Sequence, residues 1–454
     1  MHPSFDAPAS AISQTVHGSF SVIKKLFRQH IKIQQERLAH ILAQCHYDGL
    51  VISAGLPFTY FADDQDAPFK PTPHFAHWCP ERSPHHLLHL RAGKQARLIF
   101  YSPNDFWYEA PNLVQAEWTD EFEVVRAEDM ASRWQILGDL KRHAFIGAET
   151  KEAEDKDLAC NPKDLLTMMD WYRSEKTPYE LYYIEEANEL GAKGHNAVRE
   201  AFAQGASEMQ AHLIYLKAVQ CREEDLPYPS IIGLDEKSAI LHYQGKRDKV
   251  GKSQVLLIDS GATASGYCSD ITRTYARKTA PKTFQDLLGR MESLQQDLCN
   301  RVRVGVSFKD LHKQAHLEIG QILIDTGILT TSTAEEALNL GLTKLFFPHG
   351  LGHMLGIQTH DVGGLQANEK GDFLPPSVEF PRLRFQRPLR KNEVVTVEPG
   401  LYFIPMLLEQ ARHNGLRTHG NWSLIDQLIP FGGIRIEDNV VVEDNEGRNL
   451  TRAY

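Results

Sequence analysis

The 454-residue chain has only six cysteines (Cys45, Cys79, Cys160, Cys221, Cys268 and Cys299), and no two of them stand in a CxxC pair. With no regular framework they do not read as a disulfide scaffold; free, mostly structural thiols, as a reducing compartment allows, are expected. Long apolar runs are also missing, and nothing approaches the roughly 18 residues that a membrane span needs. Residues 1–19, MHPSFDAPASAISQTVHGS, have no basic start followed by an apolar stretch, so no leader and a cytoplasmic location are expected. Excess positive charge is absent too: 49 basic against 59 acidic residues give a formal charge of −10, which argues against nucleic acid or an anionic membrane as the main partner. No fixed-period repeat is visible.

What is present suits a soluble globular protein, with 42% hydrophobic and 24% charged residues, enough apolar material to exclude general disorder. The length exceeds what one core normally fills, so two domains are expected. Residues 1–19 read as a loose extension, residues 20–174 as a small N-terminal α/β domain and residues 175–454 as a second domain. In the first, apolar residues at helical spacing (Leu26, Ile31, Ile33, Leu38, Ile41, Leu42) predict an amphipathic helix from Ile23 to about Cys45, and "GLVISAG" and "ARLIFY" predict strands. The boundary is marked by "SEKTPYEL". There Thr177 can cap a helix, Pro178 fits its first turn and Glu180 completes a capping box. Helices are expected from there, over Met209–Val219 and near 282–302 and 307–325, with strands around Ile231, Ala239–Tyr243 and Val255–Asp259 and a strand-rich region to the end. This mixed order predicts an α+β domain with an antiparallel sheet.

The chemistry concentrates in that second domain. "VLLIDSGATASGYCSDITRTY" runs as a buried strand into Asp259, turns through glycines and returns with Asp270. A hairpin would set the two on neighbouring strands, about 5 Å apart. Taken alone, the stretch leaves two readings open: solvent-facing loop acids, or carboxylates sharing a cation, without which a close pair resists double ionisation. "FFPHGLGHMLGIQTHD" adds His349, His353 and His360 among glycines, "VVTVEPGLYF" puts Glu398 at a strand end, and "GGIRIEDNVVV" puts Glu437 within a strand, two residues after Arg435. Four carboxylates with imidazole suit Mn²⁺, Co²⁺, Fe²⁺ or Zn²⁺, and carry more charge than one ion balances. Two ions are therefore expected.

The ordered set Asp259, Asp270, His353, Glu398 and Glu437, within "IDSG", "SDITRTY", "FPHGLGH", "VEPGLYF" and "GGIRIED", resembles the pita-bread metallopeptidases. It is most similar to the bacterial Xaa-Pro dipeptidases, the group that includes organophosphorus acid anhydrolases. The resemblance implies a homodimer that holds two divalent ions, most often Mn²⁺, and hydrolyses small Xaa-Pro peptides through a metal-bridging hydroxide, with phosphotriesters as side substrates. It implies that Asp259 ligates one metal, His353 and Glu398 the other, that Asp270 and Glu437 bridge, and that Glu398 moves the proton. His360 and His242 in "AILHYQG" would meet the scissile carbonyl, with Leu241 beside them. His349 and Arg435 would line the proline end, Tyr228 would form a pocket wall, and Asp64 of "FADDQDAPFK" would reach a partner subunit's site. Thr359 stands where relatives have a branched apolar residue. Aminopeptidase P shares the five ligands, and some relatives have become non-catalytic binding modules, although with broken ligand sets.

Overall fold

The computed structural model describes residues 9–107, 109, 111 and 116–453. The chain forms two compact units: Met1–Tyr172 with Thr177–Tyr179, and Arg173–Lys176 with Glu180–Tyr454. The N-terminal unit is built on a six-stranded mixed sheet in the order Phe122–Ala127, Ala96–Tyr101, Leu87–Leu90, Gly49–Ser53, His143–Ile146, Ala159–Cys160. Val51, Leu87, Ile99, Trp134 and Phe145 make its core. The first helix runs Ala9–Cys45 and buries Phe27, Ile31, Leu38, Ile41 and Leu42, one stripe at three-to-four spacing. Its start corrects the expected loose extension: residues 9–19 continue the helix, because no proline or glycine interrupts Ala9–His17 and propagation adds one hydrogen bond per residue. Residues 1–8 lie outside the described residues.

In the second unit every strand pair is antiparallel, as expected. Val255–Asp259 is central between Ile231–Leu234 and Thr272–Ala276. A second set joins Val394–Val397, Asp438–Val441 and Arg448–Asn449, and a third pairs Gly400–Tyr402 with Gly433–Arg435. Helices Pro178–Gln204 and Glu208–Val219 pack on the first set through Val198, Phe202, Tyr215, Ile232 and Ile258. Helix Lys282–Arg301 carries Phe284, Leu287, Met291, Leu294 and Leu298 into the main core, and helix Phe308–Asp325 carries Leu311, Ala315, Ile319 and Leu323.

Two expectations fail. Ala239–Tyr243 is not a strand: Asp235–Ala239 is a 3₁₀ turn followed by a bend. Asp235 accepts the Gln254 and Val255 amides at 2.7 and 2.8 Å, which pins the turn to the start of the next strand, and Ser238 donates to the Asp235 carbonyl, a local side-chain bond that competes with a ladder. The region after residue 326 is also less strand-rich than expected, since it holds helices Ala334–Asn339, Leu342–Phe346, Pro405–Arg412 and Trp422–Leu428. Thr333 and Asn421 cap two of them. No helix among the described residues is long and apolar enough to cross a membrane.

Candidate metal centre

Asp259 ends a strand whose five residues are all buried, paired to Thr272 on one side and Ile231 on the other. The chain then turns through a small hairpin, Thr263–Ala264 with Tyr267–Cys268, over Ser265 and Gly266 at φ 48° and 87°, the positive-φ turn that matches strand twist. Gly261 is obligatory here, because a Cβ would lie 1.9 Å from the Ser269 carbonyl oxygen. The returning segment sets Asp270 just before the ladder resumes at Thr272. Elsewhere, residues 351–355 run along the Val394–Val397 strand: Glu398 donates its amide to Leu351 O at 2.8 Å, Thr396 to His353 O at 2.9 Å, and Leu355 to Val394 O at 2.9 Å. That pairing brings His353 and Glu398 together, and it needs Gly352, whose Cβ would stand 2.0 Å from Thr396 O. Glu437 corrects the expectation of a strand-borne acid: it falls at the break between Gly433–Arg435 and Asp438–Val441, hung on Thr272 through one bridge.

Three of the five predicted ligands form one group, Glu398 lies beside its histidine, and the charge of Asp270 acts on Asp259. One ligand atom each from Asp270, His353 and Glu437 lies within 4.8 Å of the other two. His353 Nε2 is 3.4 Å from Asp270 Oδ2 and 3.6 Å from Glu398 Oε1, while its Nδ1 donates to Met354 O at 2.9 Å, fixing the tautomer that turns Nε2 inward. Three carboxylates share a pattern in which a protein donor holds one oxygen and the other turns inward. Asp259 Oδ2 takes Arg435 at 2.5 Å, Glu437 Oε2 takes the Thr272 hydroxyl at 2.7 Å, and Asp270 Oδ1 takes the Tyr228 hydroxyl at 2.5 Å. Asp259 Oδ1 and Glu437 Oε1 are buried with no hydrogen-bond partner. Such orphaned carboxylate oxygens are expensive unless a cation takes them, so the donor set fits divalent metal.

The electrostatics agree. Burial, then the neighbouring carboxylates, push Glu437 well above the usual range and Glu398 up to about 7 against the pull of His353. Burial also raises Asp259, although Arg435 opposes it. Burial acts on Asp270 in the same sense, but the hydrogen bond and charge of His353 outweigh it and hold this carboxyl below its ordinary value.

Arg435 is where the sequence reading needs correcting. Rather than lining a pocket, its guanidinium is 4% exposed and each nitrogen already donates: Nε to Thr272 at 3.1 Å, one terminal nitrogen to Tyr402 at 2.9 Å, the other to Asp259. Buried Asp259 needs a counter-charge, and Arg435 supplies it. Tyr402 passes the chain on to His349 Nε2 at 2.8 Å, and His349 Nδ1 donates to Gly350 O at 2.8 Å. Burial and then Arg435 push His349 down to about 3, so it is neutral. Tyr228 is likewise more than a wall, since it donates to Asp270.

His360 stands edge-on to His353, ring centroids 4.3 Å apart, and burial lowers it to about 4. His242 is exposed and Leu241 half-buried. Thr359 keeps a buried, unpartnered hydroxyl. Asp64 belongs to the N-terminal unit, on an exposed turn capped by Asp63. Thr272, Tyr402 and Thr396, whose hydroxyl accepts the His353 amide at 3.0 Å, were not singled out from sequence, although all three lie inside the quoted motifs.

Residues 183–444 match the model described as metallopeptidase family M24, and residues 25–171 the model described as Xaa-Pro dipeptidase, N-terminal domain. The chain belongs to metallopeptidase family M24. The resemblance to bacterial Xaa-Pro dipeptidases is borne out with it: the protein of that name from Shewanella loihica is 40% identical over 433 residues, 94% of this chain and 97% of the relative. That of Shewanella piezotolerans is 40% identical over 435 residues, 94% and 98% of the two chains. Among solved structures, Escherichia coli aminopeptidase P with the inhibitor Pro-Leu has a TM-score of 0.72 at 21% identity over 95% of both chains, and its zinc-substituted form with product a TM-score of 0.71. That likeness establishes the pita-bread fold. The protein is a metal-dependent peptidase.

Proposed function

We propose that this peptidase is a two-metal dipeptidase that cleaves Xaa-Pro dipeptides. The observation that carries the reading is the buried group Asp270, His353 and Glu437, with Glu398 beside His353 and orphaned carboxylate oxygens on Asp259 and Glu437. The specificity rests on relatives named Xaa-Pro dipeptidase that match nearly end to end. Four carboxylates against one guanidinium leave three negative charges, more than one dication balances, so two ions are proposed. Asp259 would hold one, His353 and Glu398 the other, and Asp270 and Glu437 would be shared. Mn²⁺ is the proposed ion, with Co²⁺, Fe²⁺ or Zn²⁺ compatible with the same oxygen-rich donors. When bound, the metals supply Lewis-acid polarisation of the scissile carbonyl and an activated water.

The chain's own residues do the rest. An Xaa-Pro bond is a tertiary amide, so its nitrogen must gain a proton before it leaves. Glu398 takes the proton of the attacking water and delivers it to the proline nitrogen. His360 and His242 donate to the carbonyl oxygen as negative charge develops. His349, Leu241 and Thr359 face the substrate, and Tyr228 and Arg435 hold Asp270 and Asp259 in place. Phosphotriester hydrolysis is a proposed side activity of the same polarising site.

A homodimer in the cytoplasm is proposed as the working form, with Asp64 recognising the substrate amine across subunits. In its support, Phe58, Tyr60 and Phe61 are 67%, 47% and 100% exposed on one loop of the N-terminal unit, a patch that a second copy would cover. The test is proline release by metal-stripped protein, with and without Mn²⁺, from an Xaa-Pro dipeptide and the same peptide extended by one residue. Mn²⁺-dependent cleavage of the dipeptide alone supports the reading; cleavage of the extended peptide moves it to the activity of aminopeptidase P, whose fold the chain shares; no cleavage of either makes it a binding module.

A further inference from the structure

We infer that Asn439 is a positioning residue of the metal centre, clamping the backbone of Asp270 so that its carboxylate faces inward. This rests on the metal reading above. Asp270 is 5% exposed and lies outside the ladder, which resumes only at Thr272. A buried backbone amide and carbonyl must find partners, and here one side chain provides both. The Asp270 N–H donates to Asn439 Oδ1 at 3.0 Å, and Asn439 Nδ2 donates to the Asp270 carbonyl at 2.6 Å. The carboxamide thus replaces a strand neighbour, and the ladder is interrupted without leaving an unsatisfied group.

The clamp is itself fixed from behind. Asn439 is fully buried on the Asp438–Val441 strand, opposite Thr396, the residue that brackets His353. Its amide donates to Thr451 Oγ1 at 2.9 Å, and its carbonyl accepts from Leu450 at 2.8 Å. The Thr451 hydroxyl donates to Asn188 at 2.8 Å, and Asn188 to Ile184 O at 2.9 Å. Next door, Asp438 accepts Arg273 at 2.7 Å and Asn449 at 2.8 Å, while Arg273 also donates to the Glu437 carbonyl at 2.7 Å. The segment Asn449–Thr451, which holds no ligand itself, therefore braces two of them through buried hydrogen bonds.

The test is Asn439→Ala, with two readouts. Competition titration of stripped protein against a chelating dye should show Mn²⁺ binding weakened about 10- to 100-fold, the range for removing an outer-shell partner. Amide exchange of the metal-free protein should show lost protection in the peptide containing Asp270. Asn439→Asp, which turns the donor on the Asp270 carbonyl into an acceptor, should be at least as damaging. If Asn439→Ala fails to fold, Thr451→Val, which loosens the clamp without removing the carboxamide, should weaken binding in the same direction, with Thr451→Ser restoring it. Unchanged Mn²⁺ affinity together with full protection at Asp270 overturns the inference. Stripped wild-type protein that binds no Mn²⁺, while Asn439→Ala still deprotects Asp270, would leave the clamp standing and remove the metal reading instead.

Discussion

With the metal stripped, raising the pH should take away the stability that the buried carboxylates contribute, because they then ionise with nothing between them. Glu398 sets the scale. Its carboxyl is raised from an ordinary 4.5 to about 7, by burial first and then against His353 by the neighbouring acids. Below 4.5 the folded and unfolded chains both hold this proton. From 4.5 to about 7 only the folded chain does, so stability falls by about 1.4 kcal/mol per pH unit, about 3 kcal/mol in all. His353 acts in the same sense: its folded value is raised above 6.5 by Asp270 and Glu398 against burial, so its contribution is present at lower pH and lost as pH rises through that value. Asp270 is lowered instead, and its contribution is complete above its ordinary 3.8, outside the window. Buried histidines such as His349 and His360, lowered to about 3 and 4, gain stability up to pH 6.5 and act in the opposite sense, so Glu398→Gln serves as the reference. Between pH 5 and pH 8, chelator-treated wild type should lose about 3 kcal/mol more than chelator-treated Glu398→Gln in chemical denaturation. Excess Mn²⁺ should abolish the difference. The same pH dependence in the two metal-free proteins would refute the reasoning.

Asp361 accepts Arg173 at 2.8 Å and Lys176 at 2.9 Å, with all three side chains at most 2% exposed. Asp361→Asn should cost about 3–5 kcal/mol in a denaturation titration, since it leaves buried cations without their carboxylate. Tyr228→Phe removes the hydroxyl that holds Asp270 Oδ1, and should weaken Mn²⁺ binding about tenfold in a competition titration. Gly352→Ala would force a Cβ to within 2.0 Å of Thr396 O and part the pairing that joins His353 to Glu398; stripped protein carrying it should fold, if at all, without measurable Mn²⁺ affinity. Replacing Phe58 and Phe61 by serine should shift the protein from dimer to monomer in light scattering.

Much of this was legible in the sequence because short apolar strands ending in an acid are unusual. "VLLID" and "VVTVE" each announced a carboxylate at the edge of a core, and the glycines of "HGLGH" announced a close backbone approach. The Ala239–Tyr243 turn was not legible, because its apolar alternation is overridden by Asp235 and Ser238 bonding to nearby backbone. Nor was Asn439, which is an ordinary strand residue until register puts it beside Asp270. Arg435 was noticed for the wrong reason: a guanidinium close to a substrate site suggests carboxylate recognition, and only the distances assign it to Asp259.

The wrong inference about Arg435 and the silence about Thr272 have one cause. Sequence motifs identify which groups a metal needs, but not which donors orient each carboxylate; here a protein donor holds one oxygen of each of three. Asp259, Asp270 and Glu437 solve this with three different donors, a guanidinium, a phenol and an alcohol, so no shared motif marks the solution. Thr272 donates to Glu437 and also accepts from Arg435, linking the donors on two ligands through a single oxygen. Thr272→Val keeps the β-branched shape of the strand and removes only that link. It should release Glu437 Oε2 and one Arg435 contact together, lowering Mn²⁺ affinity by at least as much as Tyr228→Phe does. A Thr272→Val protein with wild-type affinity would mean that burial alone aims these carboxylates.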